Sequence, residues 1–343
     1  MKLKHNISGM NVSSRIPVKP DDFAVKRETA RTSVRHLLSL SDLDSEDIAC
    51  LVNRSVEFAS GQRYGCNSLE GKIVGIYFRK PSTRTRSSFT VGALRLNAKI
   101  IAYGPTDLQL VTGETIEDTA RVLSGYLDGF VIRTNEAIGE MKALAHQGEM
   151  AVINAMSEHE HPTQAIADLS TMKERFGRLE GLHILYLGEG NNTAAALALA
   201  IAKIPGMKIT FLTPEGYGLP DSILEQSYRF GKQSGAEIEQ RHKPLQLPKS
   251  ADVVYTTRWR TMGVSHADPN WGEKFLPYRV TSDLMRRVSK ASGTIFLHDL
   301  PAVRGEEVSD EVLNSLQSLA WRQVRHKMFS AMAILEWCLG NNA

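Results

Sequence analysis

Hydrophobic residues in the first half of the chain form short apolar runs that alternate with stretches of helical period. A first helix is predicted to follow an N-cap at Ser41 or Ser45. Later, Phe89, Ala93 and Leu96 recur at the spacing of one helix face. The apolar runs predict buried strands at residues 72–77, 99–103, 129–133 and 150–154. Strands that alternate with helices predict a parallel α/β sheet.

The pattern begins again after residues 175–178, which we interpret as a hinge. An alanine- and leucine-rich helix is predicted at 193–204, and further strands at 182–187, 208–212, 251–255 and 293–297. A last helix has apolar residues at Trp321, Val324, Met328, Met332, Ile334 and Leu335. The predicted fold class is therefore α/β, with two parallel-sheet domains, the second Rossmann-like, and a closing C-terminal helix.

Polarity sets the predicted domain boundaries. Residues 1–33 are polar and without a sustained period, so we predict an N-terminal extension that is either partly disordered or lying on a partner subunit. Residues 34–175 are predicted to form the first domain, with a helix at 320–340 packing back on it. Residues 176–319 are predicted to form the second domain.

Composition narrows the class of protein. The chain has 343 residues, 42% hydrophobic and 23% charged, which is typical of a soluble globular protein. A net charge of +3, without a basic run longer than a pair, argues against a nucleic-acid partner. Three cysteines without metal-ligand spacing favour a reduced, cytoplasmic compartment. With no apolar run of membrane-spanning length and no signal peptide, we expect no membrane partner.

Residues 82–86 have the sequence Ser-Thr-Arg-Thr-Arg and follow the first predicted strand at the start of a helix. Backbone N–H groups at a helix start lack partners, and the helix dipole is positive there. Hydroxyls and guanidiniums in that place predict a site for phosphate or another oxyanion. An ordinary helix cap followed by exposed arginines is the simpler interpretation, but it accounts for only one of the three hydroxyls.

Other polar residues also fall where predicted strands end, which is where parallel sheets bind ligands. In the first half these are Arg133, His161 and Gln164. Taken singly, Arg133 could be an ion-pair partner and His161 a helix cap. In the second half the polar positions are Asn191, Asn192, residues 257–263 and residues 298–301.

A dinucleotide-dependent dehydrogenase is a competing interpretation. It is based on Gly188-Glu189-Gly190, which matches the start of the dinucleotide-binding fingerprint. Thr193 stands where the third glycine belongs, and the acidic residue nearest the expected distance, Glu215, follows a proline in a predicted loop. This interpretation also leaves residues 82–86 unexplained.

In this order and context, the motifs resemble the aspartate/ornithine carbamoyltransferase family from about residue 37 to residue 339. Two of them are highly specific, Ser-Thr-Arg-Thr-Arg at 82–86 and His-Pro-Thr-Gln at 161–164. The ornithine branch is the more similar one. The other motifs that carry the resemblance are Glu-Thr-Ile-Glu-Asp-Thr-Ala, Val-Ile-Arg-Thr, Gly-Glu-Gly-Asn-Asn and His-x-Leu-Pro-Ala-x-Arg-Gly-Glu-Glu-Val.

The resemblance implies transfer of the carbamoyl group of carbamoyl phosphate to a primary amine of an ornithine-like amino acid, with release of phosphate. It implies no metal and no organic cofactor, and a homotrimer or a multiple of trimers. Gln109 would bind the donor either within its own chain or in a neighbouring subunit. Arg133 and His161 would stabilise the carbonyl oxygen as an oxyanion hole does. The implied carbamoyl phosphate residues are Ser82, Thr83, Arg84, Thr85, Gln109, Arg133, His161, Gln164, Leu300 and Arg325.

The sequence departs from the ornithine branch in the acceptor region. That branch has Asp-x-Trp-x-Ser-Met-Gly where this chain has Thr257-Arg258-Trp259-Arg260-Thr261-Met262-Gly263, and His-Cys-Leu-Pro where this chain has His298-Asp299-Leu300-Pro301. We therefore expect the catalytic set Arg133, His161 and Asp299. The expected acceptor residues are Asn191, Asn192, Thr257, Arg258, Thr261, Met262 and Asp299.

Two interpretations of the acceptor follow. In one, Asp299 orients the amine or accepts its proton, and Arg258 or Arg260 binds an acceptor carboxylate. The acceptor is then a short diamino acid, a modified ornithine or an aspartate-like compound. In the other, both arginines point to solvent, and ornithine binds through Asn191, Asn192 and the Met262 loop. A catalytically silent family member is a third possibility, against which the retained donor residues argue.

Overall fold

The computed structural model describes residues 34–62, 67–259 and 268–340, which form one compact unit. The extension predicted for residues 1–33 lies outside the described residues. Within these ranges, three short 3-10 turns occur at Leu40–Asp42, Gln109–Thr112 and Leu276–Tyr278. Within the described ranges, no helix combines the length and apolarity needed to cross a membrane.

The first sheet has four parallel strands in the order β2-β1-β3-β4. Its strands are β1 (Ile73–Phe78), β2 (Lys99–Tyr103), β3 (Gly129–Arg133) and β4 (Ala151–Met156). The helices of this half are α1 (Ser45–Ser60), α2 (Thr83–Arg95), α3 (Ile116–Ser124), α4 (Gly139–Ala145) and α5 (Pro162–Phe176).

The second sheet has five parallel strands in the order β7-β6-β5-β8-β9. Its strands are β5 (His183–Leu187), β6 (Lys208–Leu212), β7 (Glu237–Arg241), β8 (Val253–Thr256) and β9 (Ile295–His298). The remaining helices are α6 (Asn192–Ile201), α7 (Asp221–Ser234), α8 (Trp271–Phe275), α9 (Ser282–Val288), α10 (Asp310–Leu313) and α11 (Ala320–Leu339). The predicted fold class of two parallel sheets with a closing helix is confirmed.

The helix α11 returns from the second sheet to the first half of the chain, where it packs against α1, α2 and α5. Buried apolar side chains of these helices and of α6 join strands of both sheets in one cluster. Burial of apolar surface is the main favourable term in folding, so this shared cluster holds the two sheets together. The division into domains at residues 34–175 and 176–319 stays a prediction.

The cap of α1 differs from the predicted one. Asp44 is the N-cap, and its Oδ1 accepts a hydrogen bond from the backbone N–H of Asp47 at 2.8 Å, while the Asp47 carboxylate accepts from the N–H of Asp44. The prediction of Ser41 or Ser45 as the cap is therefore wrong. Ser45 lies inside the helix, and its hydroxyl donates instead to the carbonyl of Lys203 at 2.8 Å.

The edge strand β7 was not predicted because only Ile238 in it is buried. A strand at the edge of a sheet alternates between apolar and polar residues, whereas a central parallel strand is apolar throughout. The apolar-run criterion therefore found the strands of apolar sequence, including the exposed edge strand β2, and missed the polar strand β7.

Glu160 ties the segment before α1 to the start of α5. Its carboxylate is buried and accepts hydrogen bonds from the N–H of Leu40 at 2.7 Å and the hydroxyl of Ser39 at 2.5 Å. Burial raises the pKa of Glu160 from 4.5 to about 7, although these two hydrogen bonds lower it. The native state therefore binds a proton here more tightly than the unfolded chain does.

We expect Glu160→Gln to reduce the pH dependence of stability. Because the folded pKa is raised, the favourable contribution of Glu160 is complete below pH 4.5 and is lost as the pH rises through about 7. From pH 5 to pH 8 this loss is about 2–3 kcal/mol in the wild type, and Glu160→Gln lacks it. Urea denaturation at both pH values measures the difference. An unchanged pH slope in the variant would contradict this account of Glu160.

Candidate active site

A cleft of about 450 Å³ is lined by residues that follow strands of both sheets. In the first sheet the chain connections reverse direction between β1 and β3, and in the second sheet between β5 and β8. Such reversals leave a crevice beyond the carboxyl ends of the strands, where open parallel sheets bind ligands. Among the cleft residues are the predicted Ser82, Thr83, Arg84, Thr85, Arg133, His161, Gln164, Asn191, Asn192, Thr257, Arg258, Asp299 and Leu300.

The amino end of α2 forms one wall of the cleft. Ser82 is the N-cap, yet its side chain makes no capping hydrogen bond, so its hydroxyl is available to a ligand. Arg84 lines the cleft beside it, whereas Arg86 is exposed and does not. The simpler interpretation of an ordinary serine cap therefore does not hold. One guanidinium of the motif reaches the cleft together with the helix terminus.

Arg133 supplies the second guanidinium from the end of β3. It is 6% exposed, and its Nη1 donates to the Thr85 hydroxyl at 3.3 Å, while its Nε is buried without a hydrogen-bond partner. The pKa of Arg133 is lowered to about 10, chiefly by burial and also by the neighbouring charge of Arg84, while Asp299 acts to raise it. The guanidinium stays charged at neutral pH, and its unused N–H is a donor for a ligand.

His161 lies at the N-cap of α5, directly before Pro162. Its side chain makes no capping bond, so the interpretation as a simple cap fails. Its Nδ1 lies 3.3 Å from the Thr163 hydroxyl. Burial and the nearby cations Lys327 and Arg133 hold the pKa of His161 well below its usual range. A neutral imidazole in this place can donate one hydrogen bond without competing for the charge of an anionic ligand.

Gln164 is fully buried one turn into α5 and belongs to a hydrogen-bonded network behind the cleft. Its Nε2 donates to Oδ1 of Asp168 at 2.7 Å. The same carboxylate accepts from Gln323 Nε2 at 2.6 Å and from the Tyr255 hydroxyl at 2.9 Å. These donors come from α5, α11 and β8. The Asp168 carboxylate thus joins three elements and fixes the side chain of Gln164.

The turn after β5 shapes the second wall. Asn191 Oδ1 caps α6 by accepting from the N–H groups of Thr193 and Ala194 at 3.0 and 3.2 Å, and its Nδ2 donates to the Thr257 hydroxyl at 3.0 Å. A side chain at Gly190 would lie 2.3 Å from the backbone of Gly218, which explains this glycine without any nucleotide. Because Asn191 makes these three hydrogen bonds, most of the hydrogen-bonding capacity of its amide is satisfied within the protein.

The loop after β8 brings Arg258 into the cleft, where its Nε is buried and has no hydrogen-bond partner among the described residues. Asn192 donates through Nδ2 to the carbonyl of Ser157 at 2.9 Å and so links the start of α6 to the segment that follows β4. Arg258 thus brings an unused N–H donor to the second wall. The predicted residues Arg260, Thr261 and Met262 lie outside the described part of the chain.

Asp299 brings the carboxylate of the second wall, directly after β9. It accepts a hydrogen bond from the Thr193 hydroxyl at 3.1 Å and lies 3.5 Å from Nδ1 of His298. Burial raises the pKa of Asp299, while His298, Lys327 and Arg84 lower it. An acid that lies among cations and lines the cleft can hold or accept a proton from a bound amine.

His298 fixes the loop that carries Asp299. Its Nδ1 accepts from the N–H of Leu300 at 2.8 Å, and its Nε2 lies 3.1 Å from Oε1 of the buried Glu307. The first contact requires an unprotonated Nδ1, so the proton is assigned to Nε2, which donates to Glu307. His298 is 0% exposed, does not line the cleft, and supports Asp299 from behind.

Two predicted residues do not come to the cleft. Gln109 is exposed on the turn after β2, where its side chain accepts from the Thr112 hydroxyl at 2.8 Å. Arg325 is exposed on α11. Lys327 lines the cleft instead, because residues two apart on a helix point about 200° apart around its axis. Sequence reasoning missed Lys327 and Asp168. The position of Lys327 along the last predicted helix indicates that it lines the cleft only once the orientation of α11 is known.

Comparison with known proteins identifies the family to which the chain belongs. Residues 35–174 match the family model "Aspartate/ornithine carbamoyltransferase, carbamoyl-P binding domain", and residues 180–338 match "Aspartate/ornithine carbamoyltransferase, Asp/Orn binding domain". The chain belongs to the aspartate/ornithine carbamoyltransferase family. This membership replaces the dehydrogenase interpretation.

Individual carbamoyltransferases of the family resemble it over most of their length. It is 38% identical to the ornithine carbamoyltransferase of Gloeobacter violaceus over 89% of this chain and 95% of that protein. It is 40% identical to the ornithine carbamoyltransferase of Caldicellulosiruptor saccharolyticus, over 90% and 99%. The structure of ornithine carbamoyltransferase from Pyrococcus furiosus superposes with a TM-score of 0.84 at 36% identity, covering 91% of this chain and 99% of that one.

Proposed function

We propose that this carbamoyltransferase moves the carbamoyl group of carbamoyl phosphate to the side-chain amine of ornithine and releases phosphate. The observation that carries the proposal is the opposition of two charged walls in one cleft. Arg84 and Arg133 lie on the first wall beside an unused helix start, while Asp299 and Arg258 lie on the second. The family membership and the named relatives point to the same reaction.

The donor occupies the first wall in this proposal. The phosphate is bound by the start of α2 through residues 82–85, where hydroxyls, N–H groups and the Arg84 charge match a dianion. The carbamoyl group lies between Arg133, His161 and Gln164, with Leu300 beside it. No metal or organic cofactor is proposed.

The reaction needs a neutral amine and a place for negative charge. The amine nitrogen attacks the carbonyl carbon, a new C–N bond forms, and the carbonyl oxygen becomes anionic. Arg133 and neutral His161 donate hydrogen bonds to this oxygen. The C–O bond to phosphate then breaks, and the proton lost by the amine passes to the phosphate, either directly or by way of Asp299. Holding both substrates side by side supplies much of the rate.

The acceptor occupies the second wall. Asp299 orients the reacting amine, and Arg258 binds the carboxylate, because its buried Nε has no partner within the described protein. Asn191, Asn192 and Thr257 line the space between them. The predicted contributions of Thr261 and Met262 remain expectations, since both lie outside the described residues.

Mixing the purified protein with carbamoyl phosphate and single amines tests the reaction. We expect release of phosphate and formation of citrulline, with a higher kcat/KM for ornithine than for 2,4-diaminobutyrate, N-acetylornithine or aspartate. Phosphate release and the carbamoylated amine are measured together. A higher kcat/KM for another amine would overturn ornithine as the acceptor, and the absence of turnover with every amine would favour a silent family member.

We expect Asp299→Asn to lower kcat about 100-fold while the KM for carbamoyl phosphate changes little, because the carboxylate acts on the amine. The activity of the wild type should rise with pH as Asp299 ionises, and this dependence should disappear in the variant. Asp310→Asn is the matched control, since Asp310 is an exposed carboxylate paired with Arg304 outside the cleft. Unchanged kcat in Asp299→Asn would refute a role in orienting the amine.

We also propose a homotrimer in a cytoplasmic compartment. Three cysteines in 343 residues fit a reducing compartment. Apolar side chains remain exposed on α2 and on the edge strand β2, which are in contact, namely Val91 (37%), Leu94 (55%) and Ile101 (41%). An apolar edge of this kind favours contact with another protein surface. Gln109, exposed after β2, could then contribute to a neighbouring subunit.

Light scattering tests this assembly. We expect a mass of about 114 kDa for the wild type, three times the 38.0 kDa of one chain. Leu94→Glu should shift the mass toward that of the single chain, because a carboxylate would be buried at the subunit contact. Val122→Glu, at an exposed apolar site on α3, is the control. A single-chain mass for the wild type would exclude the trimer.

A further inference from the structure

Lys327 is a buried lysine on α11 that was not anticipated among the cleft residues. It is 6% exposed and lines the cleft. Its Nζ donates to Oε1 of Gln164. An ammonium carries three N–H donors, and this is the one hydrogen bond it makes to the described residues. A buried charge with donors left over is costly unless a ligand or a counter-charge completes it.

We propose that Lys327 binds the carbamoyl end of carbamoyl phosphate and positions Gln164 for the same group. The donor comes from the proposed function, on which this inference therefore rests. Lys327 takes the place in the cleft that the family resemblance assigned to Arg325.

Lys327 and Asp168 together set which way the Gln164 amide points. The Asp168 carboxylate accepts from Gln164 Nε2 at 2.7 Å, and the ammonium of Lys327 donates to Oε1. Burial raises the pKa of Asp168 to about 7, as it lowers that of Lys327. With Asp168 ionised and Lys327 protonated, the carboxylate cannot donate and the ammonium cannot accept, so the reversed amide would lose both bonds. The amide oxygen of Gln164 is thereby held on the side of Lys327, where it can accept a hydrogen bond from the carbamoyl NH2.

The charge of the cleft gives Lys327 a second role. Lys327 faces the cations Arg133 and Arg84, the carboxylates of Asp168 and Asp299, and the neutral imidazole of His161. The pKa of Lys327 is lowered to about 7, and burial is the main cause. The cations Arg133 and Arg84 also lower it, while the carboxylates of Asp299 and Asp168 act to raise it. A bound dianion raises it again. Donor binding should therefore be accompanied by proton uptake above neutral pH.

A purely structural role makes a different prediction. If Lys327 only balanced the charge of Asp168, its removal would destabilise the fold without changing affinity for the donor. Lys203 serves as the matched case, because it is also buried and donates to the backbone carbonyls of Leu40 and Ser41 at 2.8 and 2.9 Å, but does not line the cleft.

Calorimetric titration with carbamoyl phosphate, without any acceptor, tests the proposal on the full-length protein. We expect Lys327→Met to weaken binding about 10- to 100-fold, which is the range for loss of a hydrogen bond to a charged group. Binding of inorganic phosphate, which lacks the carbamoyl group, should weaken less. Wild-type affinity for carbamoyl phosphate should fall as the pH rises from 7 to 9, and Lys327→Arg should flatten this dependence. Lys203→Met should lower Tm and leave affinity unchanged.

Several results would overturn the role of Lys327. One is unchanged affinity in Lys327→Met with a lowered Tm, and another is equal weakening in Lys203→Met. A third is loss of affinity in Arg325→Met while Lys327→Met binds normally. If Lys327→Met does not fold, Lys327→Gln, which keeps a hydrogen-bond donor without the charge, is titrated in its place with the same criteria.

The titration also separates this proposal from the proposed function. If the wild type binds carbamoyl phosphate but does not carbamoylate ornithine, the acceptor assignment fails and the comparison of Lys327 variants still decides their role. If the wild type does not bind carbamoyl phosphate, both proposals fail.

Discussion

The buried carboxylate of Asp168 is the group on which the closure of the fold and the shape of the cleft both depend. It accepts hydrogen bonds from side chains on α5, α11 and β8, through Gln164, Gln323 and Tyr255. An ionised carboxylate removed from water is tolerated only when its oxygens are satisfied. Gln323 also accepts from the N–H of His298 at 2.9 Å, so the same helix supports the loop that carries Asp299. Withdrawal of α11 would remove the Gln323 hydrogen bond from this carboxylate and Lys327 from Gln164, and would free the loop that carries Asp299.

Hydrogen-bond satisfaction separates supporting side chains from those available to ligands. Asn191 and His298 use their polar atoms within the protein, and they hold loops in place. The Ser82 side chain makes no capping bond, and the Nε atoms of Arg133 and Arg258 are buried without partners. Buried donors without partners are rare in folded proteins, because each one costs free energy. In the proposed function, these positions on the two walls of the cleft are where the two substrates bind.

The buried strands were predictable because parallel strands covered on both faces are apolar throughout, as in the central strands β1 and β3. The helix start at Ser82 was predictable because strand, proline and hydroxyl residues are adjacent in sequence. The polar edge strand β7 and the Asp44 cap were missed, since neither follows from apolar runs or from serine preference alone. Which of two nearby basic residues, Arg325 or Lys327, faces the cleft depends on the rotation of α11 about its own axis.

The sequence by itself determined the two parallel sheets, the polar helix start at residues 82–86 and the resemblance to the family. Those features arise from residues close together along the chain, where apolar period and turn chemistry act locally. Only the tertiary structure decided that Lys327 and Asp299 line one cleft with Asp168 buried behind it, and that Arg325 stays outside it. These contacts join residues more than 100 positions apart, such as Gln164 and Lys327, so they depend on how α5, α11 and β9 pack together. The local pattern of apolar and polar residues does not determine how these elements pack.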